Sequence, residues 1–567
     1  MRSGRLPVFV AAASLLLAVV YAPAAAATTW PAGSYRVALG VQRLAGPDRY
    51  ATSVAVARAA WPGWSGVDHV IVASGDERAI ADSVAAGSLC WAYDAPLLLV
   101  KPGSVPAVVR AALQEIAAAS GVCRVTVIGG TASVGSKALA ELKSIVGAAN
   151  VEQPWTGGDR FTTAAGIAER SRIVAAETSR TVPARALIAN GTSDGGLADA
   201  LALCAVSART GVPVLFVRRD GVPGATSKQL AALQPGAVMI AGGTPSVSAA
   251  TLAAVGGTER WAGGNRYATA AAVARGSRAR GWLNGSEVGL AARVPDALTG
   301  AVYAGRRGAP VLLTTTNRLG AEAAEYANAY QGAITAAAIF GGPPSVSDEV
   351  AAELGGAPST PRITSFTAGG YVAKQARVVV PAGVNTTQVR LYANDVLVAS
   401  KPAVAYSAVD FGTMPTPSGG VTYRVVAANP DGRETATSVK CKRLTYPAST
   451  SIVIDKSEFR LYFVKGDVLI RSYKVGLGRP SMETPVGLWK VGVKYHSNPG
   501  GAFGPRKMRL YRKSGSSFVF THYLIHGTNE PWAVGIKASH GCMRLYNRDV
   551  LDLYPLVPVG TLVQTRR

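Results

Sequence analysis

The sequence predicts a multidomain protein: three α/β repeat units built on parallel sheets flanked by helices, then an all-β sandwich, then a mostly β C-terminal domain. Three observations predict it. A short marker recurs, as Gly46-Pro47-Asp48-Arg49-Tyr50, Gly157-Gly158-Asp159-Arg160-Phe161 and Gly263-Gly264-Asn265-Arg266-Tyr267, each time leading into an Ala-rich segment. After Gly355-Gly356-Ala357-Pro358-Ser359-Thr360-Pro361 the hydrophobic pattern changes to period two, the mark of strands with one buried face. From Ser451 the chain is again strand-like and closes on Ser539-His540-Gly541-Cys542-Met543-Arg544-Leu545. A chain of 567 residues is long enough to hold several such domains.

At the N-terminus, Arg2 and Arg5 precede the apolar run Val8 to Val20, Pro23 breaks it, and Ala25-Ala26-Ala27 offers small residues for cleavage. This describes a secretory signal over 1–27, and once it is removed no stable membrane insertion is expected. The repeats are read as 41–150, 151–256 and 257–356. In each, the marker opens a helix. An apolar strand and an acidic position follow: Val70-Ile71-Val72-Ala73 with Asp82, Leu187-Ile188-Ala189 with Asp199, Val288-Gly289-Leu290-Ala291 with Asp296. A buried strand comes next (Leu97 to Val100, Val214 to Val217, Val311 to Leu313), and a last strand ends in Gly129-Gly130, Gly242-Gly243 or Gly341-Gly342. Strands alternating with helices at this length imply parallel sheets covered on both faces. The double glycines read as tight strand-to-helix turns capped by Ser133, Ser246 and Ser345. A nucleotide site is excluded, because neither Gly-x-Gly-x-x-Gly nor the Lys and Ser/Thr of a P-loop is present.

Residues 361–446 read as five short strands with turns at Asn394-Asp395 and Asn429-Pro430-Asp431-Gly432, which suggests an immunoglobulin-like sandwich acting as a spacer. In the last domain, 450–567, Ser451 to Asp455, Phe459 to Val464, Val468 to Val475 and Gly487 to Val493 are strand-like, with Lys465-Gly466-Asp467 as a hairpin turn. Phe518-Val519-Phe520 and Tyr523-Leu524-Ile525 read as two further strands, Asn498 to Gly501 as a loop, and Asn547 as a helix cap.

The net charge is +24, and 18 Lys and Arg face 7 Asp and Glu between Ser451 and Arg567, so anionic partners are expected. Nucleic acid is set aside, since aromatic interleaving and recognised binding motifs are missing. The five cysteines are an odd number for an exported chain, which leaves at least one thiol unpaired within it. Cys90 and Cys123 fall in one repeat and could pair, while Cys204 and Cys441 are expected free and buried.

Cys542 is assigned the free, reactive thiol. A thiol attacks as thiolate, so it needs a neighbour to take its proton, and His526, sixteen positions upstream in Ile525-His526-Gly527-Thr528, is the candidate. Gly527, Gly535 and Gly541 give the intervening segment freedom to fold back, and Gly541 lets backbone N–H groups converge on an oxyanion. The competing arrangement is a zinc site from His522, His526, His540 and Cys542; it is disfavoured because no His-Glu-x-x-His and no carboxylate base accompany it. No cofactor and no metal are expected.

Seven segments in order (Ile452 to Asp455, Leu461 to Phe463, Thr484 to Gly487, Phe503 to Arg506, Ile525 to Thr528, Ser539 to Arg544 and Val559 to Val563) resemble the L,D-transpeptidase catalytic domain family of bacterial cell-wall enzymes. The resemblance implies that Cys542 attacks the carbonyl between the third residue of a peptidoglycan stem tetrapeptide and its terminal D-alanine, with His526 as base. A thioester forms and an amine of a neighbouring stem resolves it as a 3,3 cross-link. It further implies that Gly527 or Thr528 orients the imidazole ring, that His540 and Ser539 shape the pocket with Gly541, and that Arg544 holds a substrate carboxylate or braces the loop. Tyr523 and Thr528 join Arg544 as substrate-binding candidates. Water or a protein amine as acceptor, giving a carboxypeptidase or an anchoring transferase, and a non-catalytic adhesin are the alternatives. The three markers resemble the type-two cell-wall-binding repeats, which implies attachment to an anionic wall polymer, with Arg49, Arg160 and Arg266 as contacts. Against that stands an internal ion pair with Asp48, Asp159 or another carboxylate. A secreted, cell-wall-associated protein is the expectation.

Overall fold

A computed structural model describes residues 30–31, 34–77, 79–155, 158–192, 194–367 and 369–567. The expected signal segment 1–27 and Gly157 of the second marker lie outside these residues. Three α/β units are followed by a mostly β C-terminal region. Each unit carries a four-stranded parallel sheet of one topology. In the first, Leu97–Val100, His69–Ser74, Arg124–Val127 and Val151–Glu152 lie side by side; in the second, Val214–Val217, Arg185–Asn190, Ala237–Ala241 and Glu259–Trp261. The third is Val311–Leu313, Glu287–Ala291, Ala336–Phe340 and Gly40–Leu44. The strand just before each marker therefore completes the sheet of the preceding unit, and Gly40–Leu44, before the first marker, completes that of the third. The ring of three units is closed by this exchange.

The markers open the helices Arg49–Ala60, Arg160–Glu177 and Arg266–Ala279. Asp48, Asp159 and Asn265 are their N-caps, accepting from Ala51 N, from Phe161 N and Thr162 N, and from Ala268 N. Asn caps as well as Asp, which explains why the acid is dispensable in the third marker. The next helices begin around a second recurring group. Asp82, Asp199 and Asp296 lie beneath the double-glycine turns, where Gly129, Gly242 and Gly341 have φ of +87°, +106° and +102°. A Cβ at these glycines would stand 3.0, 2.6 and 2.5 Å from the respective carboxylate oxygens, so both the backbone sign and the space demand glycine. Ser133 and Ser345 donate to Asp82 (3.0 Å) and Asp296 (2.8 Å), and Ser246 stands beside Asp199 under Gly242. These serines hold the buried acids; they are not the helix caps expected of them, and the following helices start instead at Gly135, Ser248 and Ser347. Burial raises all three carboxyls, Asp199 to about 6, partly offset by the hydroxyls and by the marker arginine of the next unit: Arg160 for Asp82, Arg266 for Asp199, Arg49 for Asp296.

Beyond the repeats, Tyr371–Val372, Glu434–Arg443, Val421–Ala428, Gln388–Ala393 and Val396–Pro402 form one sheet, and Gln375–Pro381 pairs antiparallel with Ala408–Pro415. The core between them includes Val378, Val380, Leu391, Phe411, Tyr423 and Cys441. Seven strands stand where five were expected; Ala408–Pro415 and Tyr371–Val372 were missed. The Gly355 to Pro361 segment, a linker by composition, is largely buried. Asn385, only 1 % exposed, accepts from Val37 N (2.7 Å) and donates to the carbonyls of Glu353 (2.7 Å) and Ala357 (3.1 Å), tying repeat and sandwich together.

The C-terminal region extends one sheet in the order Val468–Lys474, Arg460–Lys465, Ser451–Asp455, Leu562–Arg566, Gly487–His496, Arg506–Ser514, Ser517–His526 and Met543–Arg544. Gln375 pairs with Val468, so the sandwich joins this sheet at its far edge. Tyr446 reinforces the seam, donating to Asp467 (2.8 Å) and accepting from Lys374 N (2.9 Å). The hairpin at Lys465 to Asp467 turns through Gly466 and Asp467, both with positive φ. The two strands expected at 518–520 and 523–525 are one continuous strand, and helix Asn547–Leu556 packs Val550 and Leu553 into the core. All five cysteines are free, so Cys90 and Cys123 do not pair; Cys90, Cys123, Cys204 and Cys441 are buried thiols. No helix among the described residues is long and apolar enough to cross a membrane.

Asp199, raised to about 6 from an unfolded value near 3.8, binds its proton more tightly in the folded chain. Its contribution is therefore favourable at low pH and is lost as pH rises through that window, by about 2–3 kcal/mol. Asp199→Asn is expected to raise the thermal midpoint of the repeat region at pH 7.5 by about 5 °C and to flatten its dependence between pH 4 and 6. Calorimetry of the full chain at several pH values checks this.

Candidate active site

The site forms where the two-residue strand Met543–Arg544 docks in parallel on the end of Ser517–His526. Ile525 pairs with Met543 and His526 with Arg544, and Leu545 N donates to His526 O at 2.8 Å. Met543, Leu545 and Ile525 are fully buried on the core side. By alternation, Cys542 and Arg544 share the opposite face with His526 and His522. The register thus brings Cys542 and His526 to one face, two residues apart along paired strands.

Ser539 and Gly541, before Cys542, are held. Ser539, 1 % exposed, donates to Cys542 O (2.6 Å) and accepts from Gly541 N (3.1 Å). Thr484, from the Thr-Pro-Val-Gly segment, donates to Gly541 O (2.9 Å) and accepts from Gly478 N (2.9 Å). Gly541 has φ +106°, and a Cβ there would stand 2.6 Å from the Tyr523 ring, which itself packs edge-on against Trp489. Glycine is required here by conformation and by the close approach of Tyr523; its N–H, expected as an oxyanion donor, is engaged by Ser539. Tyr523 supports the loop from beneath, and His540 is exposed.

His526 is 3 % exposed, with its Nδ1 bonded to Gly527 O and its ring edge-on to Phe503, centroids 5.1 Å apart. A carbonyl only accepts, so Nδ1 carries the hydrogen and Nε2 of the neutral ring is the free base. Gly527, not Thr528, orients the ring. Thr528 N donates to Asn547 Oδ1 (2.8 Å), and the Asn547 amide also reaches Pro499 O (3.4 Å). Asn547 is thus a clamp on the loop after His526; it lies within the helix, whose N-cap is Tyr546. Arg544 bonds Glu530 at 2.5 Å, which braces the loop between His526 and Cys542.

Burial lowers His526 to about 4, aided by the charges of Arg544 and Lys507 and opposed by the Gly527 bond. Burial raises the Cys542 thiol, opposed by a backbone bond at Leu524 and by Arg544 and Arg509. The resting pair is therefore neutral, a protonated thiol and an uncharged imidazole on one sheet face. The sulfur's acceptor is the His522 carbonyl at 3.8 Å, so the thiol points along the strand in this state. Among the described residues no three His, Cys, Asp or Glu side chains form a metal-binding group, and the four candidate zinc ligands are not gathered around one point.

Two of the three marker arginines are tied within their own units. Arg49 donates to Gly75 O (2.7 Å) and pairs with Glu77 (3.2 Å), and Arg160 donates to Gly191 O (2.5 Å). Arg49 and Arg266 line a cavity of about 750 Å³, with Arg293 and Asp296, where residues of all three units meet. Neither Asp48 nor Asp159 is their ion-pair partner; both are occupied as caps.

Comparison with known proteins gives two families. Residues 449–564 match the L,D-transpeptidase catalytic domain. Residues 43–139, 155–252 and 260–351, about half of the chain, match Cell wall binding domain 2 (CWB2). The protein named "Putative L,D-transpeptidase YkuD" from Bacillus licheniformis is 37% identical over 119 residues, 21% of this chain and 66% of that one. The N-acetylmuramoyl-L-alanine amidase LytC of Bacillus subtilis is 26% identical over 208 residues, 37% of each chain. Cwp6 from Clostridium difficile aligns with a TM-score of 0.49 at 23% identity over 59% of this chain and 51% of that one. The chain spans between about half and two thirds of the length of the first two curated transpeptidases it matches, 66% and 55%.

With both groups neutral at rest, alkylation of Cys542 by iodoacetamide is expected to quicken about tenfold per pH unit from pH 6 to 8.5, with no plateau. A plateau near pH 6 would instead mark a thiolate–imidazolium pair. The acid limb of any reaction that uses His526 as base is expected near pH 4, well below that of an ordinary imidazole.

Proposed function

Because the chain belongs to the Cell wall binding domain 2 family through residues 43–351 and carries an L,D-transpeptidase catalytic domain at 449–564, we propose that it is an exported, wall-attached enzyme forming 3,3 cross-links between peptidoglycan stems. The observation that carries this reading is the single half-buried thiol on one sheet face with an imidazole whose Nδ1 is committed to a carbonyl.

Rotation of Cys542 about χ1 takes the sulfur from the His522 carbonyl toward His526. Nε2 accepts the thiol proton as the sulfur attacks the carbonyl carbon between the third stem residue and D-alanine. The tetrahedral intermediate collapses, Nε2–H protonates the departing D-alanine amine, and a thioester remains. The side-chain amine of a second stem then attacks the thioester, passes its proton to Nε2, and the thiol is regenerated. Gly527 O stabilises the ring whenever it is doubly protonated. Ser539 and Thr484 hold the loop so that the sulfur's position is set by backbone bonds.

The three repeats, 41–150, 151–256 and 257–356, attach the enzyme to an anionic wall polymer, with Arg49, Arg160 and Arg266 as its contacts. The cavity that Arg49 and Arg266 line supports this, since guanidinium suits phosphate and carboxylate. Residues 361–446 serve as an immunoglobulin-like spacer, a reading supported by seven strands in two layers about one core.

Cys542→Ala is expected to reduce D-alanine release and cross-linked product from purified tetrapeptide muropeptides to below about one-thousandth while leaving binding to isolated walls intact. Unchanged product, measured by mass spectrometry, contradicts the assignment. Raising NaCl from about 50 to 500 mM is expected to release the intact protein from walls, as charge-carried binding requires.

A further inference from the structure

We propose that Arg509 holds a carboxylate of the acyl-donor peptide beside Cys542, an inference that rests on the stem-peptide reading above. Three cations stand on the face that bears the sulfur. Arg544 is answered by Glu530 at 2.5 Å. Lys507 lies over the rings of Tyr495 and Phe503, on the side of His526. Arg509 lies in the strand Arg506–Ser514 with its Cα paired to Leu524, the residue level with Cys542, and its charge acts on the sulfur directly. It has no carboxylate partner among the described residues.

The guanidinium is held in place without being neutralised. Its Cζ is 4.9 Å from the Phe520 ring and 5.9 Å from the Tyr495 ring, and Nη1 donates to Thr521 O at 3.1 Å. Nε is buried and has no acceptor among the described residues. Arg544 Nε is likewise buried without an acceptor, so what sets Arg509 apart is that no carboxylate among the described residues answers its charge. Phe520 is 57 % exposed, so one side of this arrangement is open to a ligand. A fixed planar cation next to the nucleophile, with donor capacity unspent, fits a carboxylate better than it fits a neutral amide or an amine.

A donor tetrapeptide offers such a group at two places: the terminal carboxylate, one residue beyond the attacked carbonyl, and a carboxylate carried by the residues before it. Either would fix the scissile carbonyl relative to the sulfur. Arg509 is in this account a positioning residue for the peptide, and Arg544, occupied by Glu530, positions the loop.

The test is a cycle of binding and turnover on the full chain. Calorimetry on Cys542→Ala measures affinity for a tetrapeptide with both carboxylates free, with the terminal one amidated, and with the internal one amidated. One amidation is expected to weaken binding by roughly 10- to 100-fold, and it identifies which carboxylate is held. In the double variant with Arg509→Gln that penalty is expected to fall below about twofold, and with Arg509→Lys to be partly restored. In the catalytically intact chain Arg509→Gln is expected to raise KM for the free-carboxylate donor by the same factor with a smaller change in kcat, while iodoacetamide still labels Cys542. The proposal is overturned if neither amidation weakens binding, or if the penalty is the same with Gln at 509 as with Arg. If no tetrapeptide binds and the intact chain releases no D-alanine from any of them, the stem-peptide reading fails first and this inference falls with it.

Discussion

The site depends on one small pairing: two residues, Met543 and Arg544, added in parallel to the end of a ten-residue strand. A two-residue strand has too few ladder bonds to hold itself in register, and a slip of one position would turn Cys542 into the core and Met543 out to solvent. The register is secured from both sides. Met543 and Leu545 are fully buried, so the slipped arrangement would bury a thiol in place of a thioether and expose large apolar surface. Ser539 and Thr484 fix the carbonyls of Cys542 and Gly541, and the exchange between Gly476 and Arg544, with N to O distances of 2.8 and 2.9 Å, closes the other edge. The nucleophile thus sits on irregular backbone whose polar groups are nearly all engaged, which gives a loop the precision of a sheet.

The same economy governs the rest of the chain. Each repeat unit borrows a strand, a buried acid meets the arginine of the next unit, and the third unit is completed by residues at 40–44. No unit is self-sufficient, so the three stand or fall together. Asn385, in the left-handed region with φ 56°, satisfies three backbone groups from two flanking segments at the junction with the sandwich. The sandwich then shares a sheet with the C-terminal domain through Gln375 and Val468 and a buried cluster of Ala373, Leu444, Tyr446, Val453, Tyr462 and Val464. Both junctions have apolar cores and satisfied polar groups, unlike the exposed polar linkers that permit free domain motion. As the proposed spacer, residues 361–446 would therefore set a direction as well as a distance for the C-terminal domain.

Much of this was legible because it is written in local pattern. The apolar strands, the Ala-rich helices and the Lys465 to Asp467 hairpin follow from period and turn chemistry, and the Cys542 and His526 segments stand out by composition. What escaped was carried by contacts across the chain. Ser133, Ser246 and Ser345 follow glycine turns and precede helices, where capping is the local expectation; their acids lie about fifty residues upstream. Asn547 looks like a cap for the same reason, and its amide is spent on Thr528 and Pro499. The marker arginines also read as members of internal ion pairs, and Arg49 does meet a carboxylate, but it is Glu77 of its own unit and not the adjacent Asp48, which faces the other way as the helix cap. Arg509 had no signal at all: in sequence it is one basic residue among many from Arg506 to Lys513, and only cross-strand register sets it beside the sulfur.

Electrostatics at the sulfur tie these points together. Arg544 and Arg509 favour thiolate, burial opposes it more strongly, and the thiol remains protonated at rest. Glu530 already cancels much of what Arg544 contributes. A carboxylate placed on Arg509 would cancel the other cation, so substrate binding makes a free thiolate harder to form. In the proposed reaction the proton would then leave for His526 in the same event as attack, with the developing negative charge passing from sulfur to the carbonyl oxygen. A base depressed to about 4 is weak when isolated, but it recovers strength as that negative charge grows beside it. A neutral pair in a half-buried cleft thus keeps the thiol slow toward small electrophiles at acid and neutral pH, and its reactivity in the proposed reaction would come from a peptide carbonyl held against it.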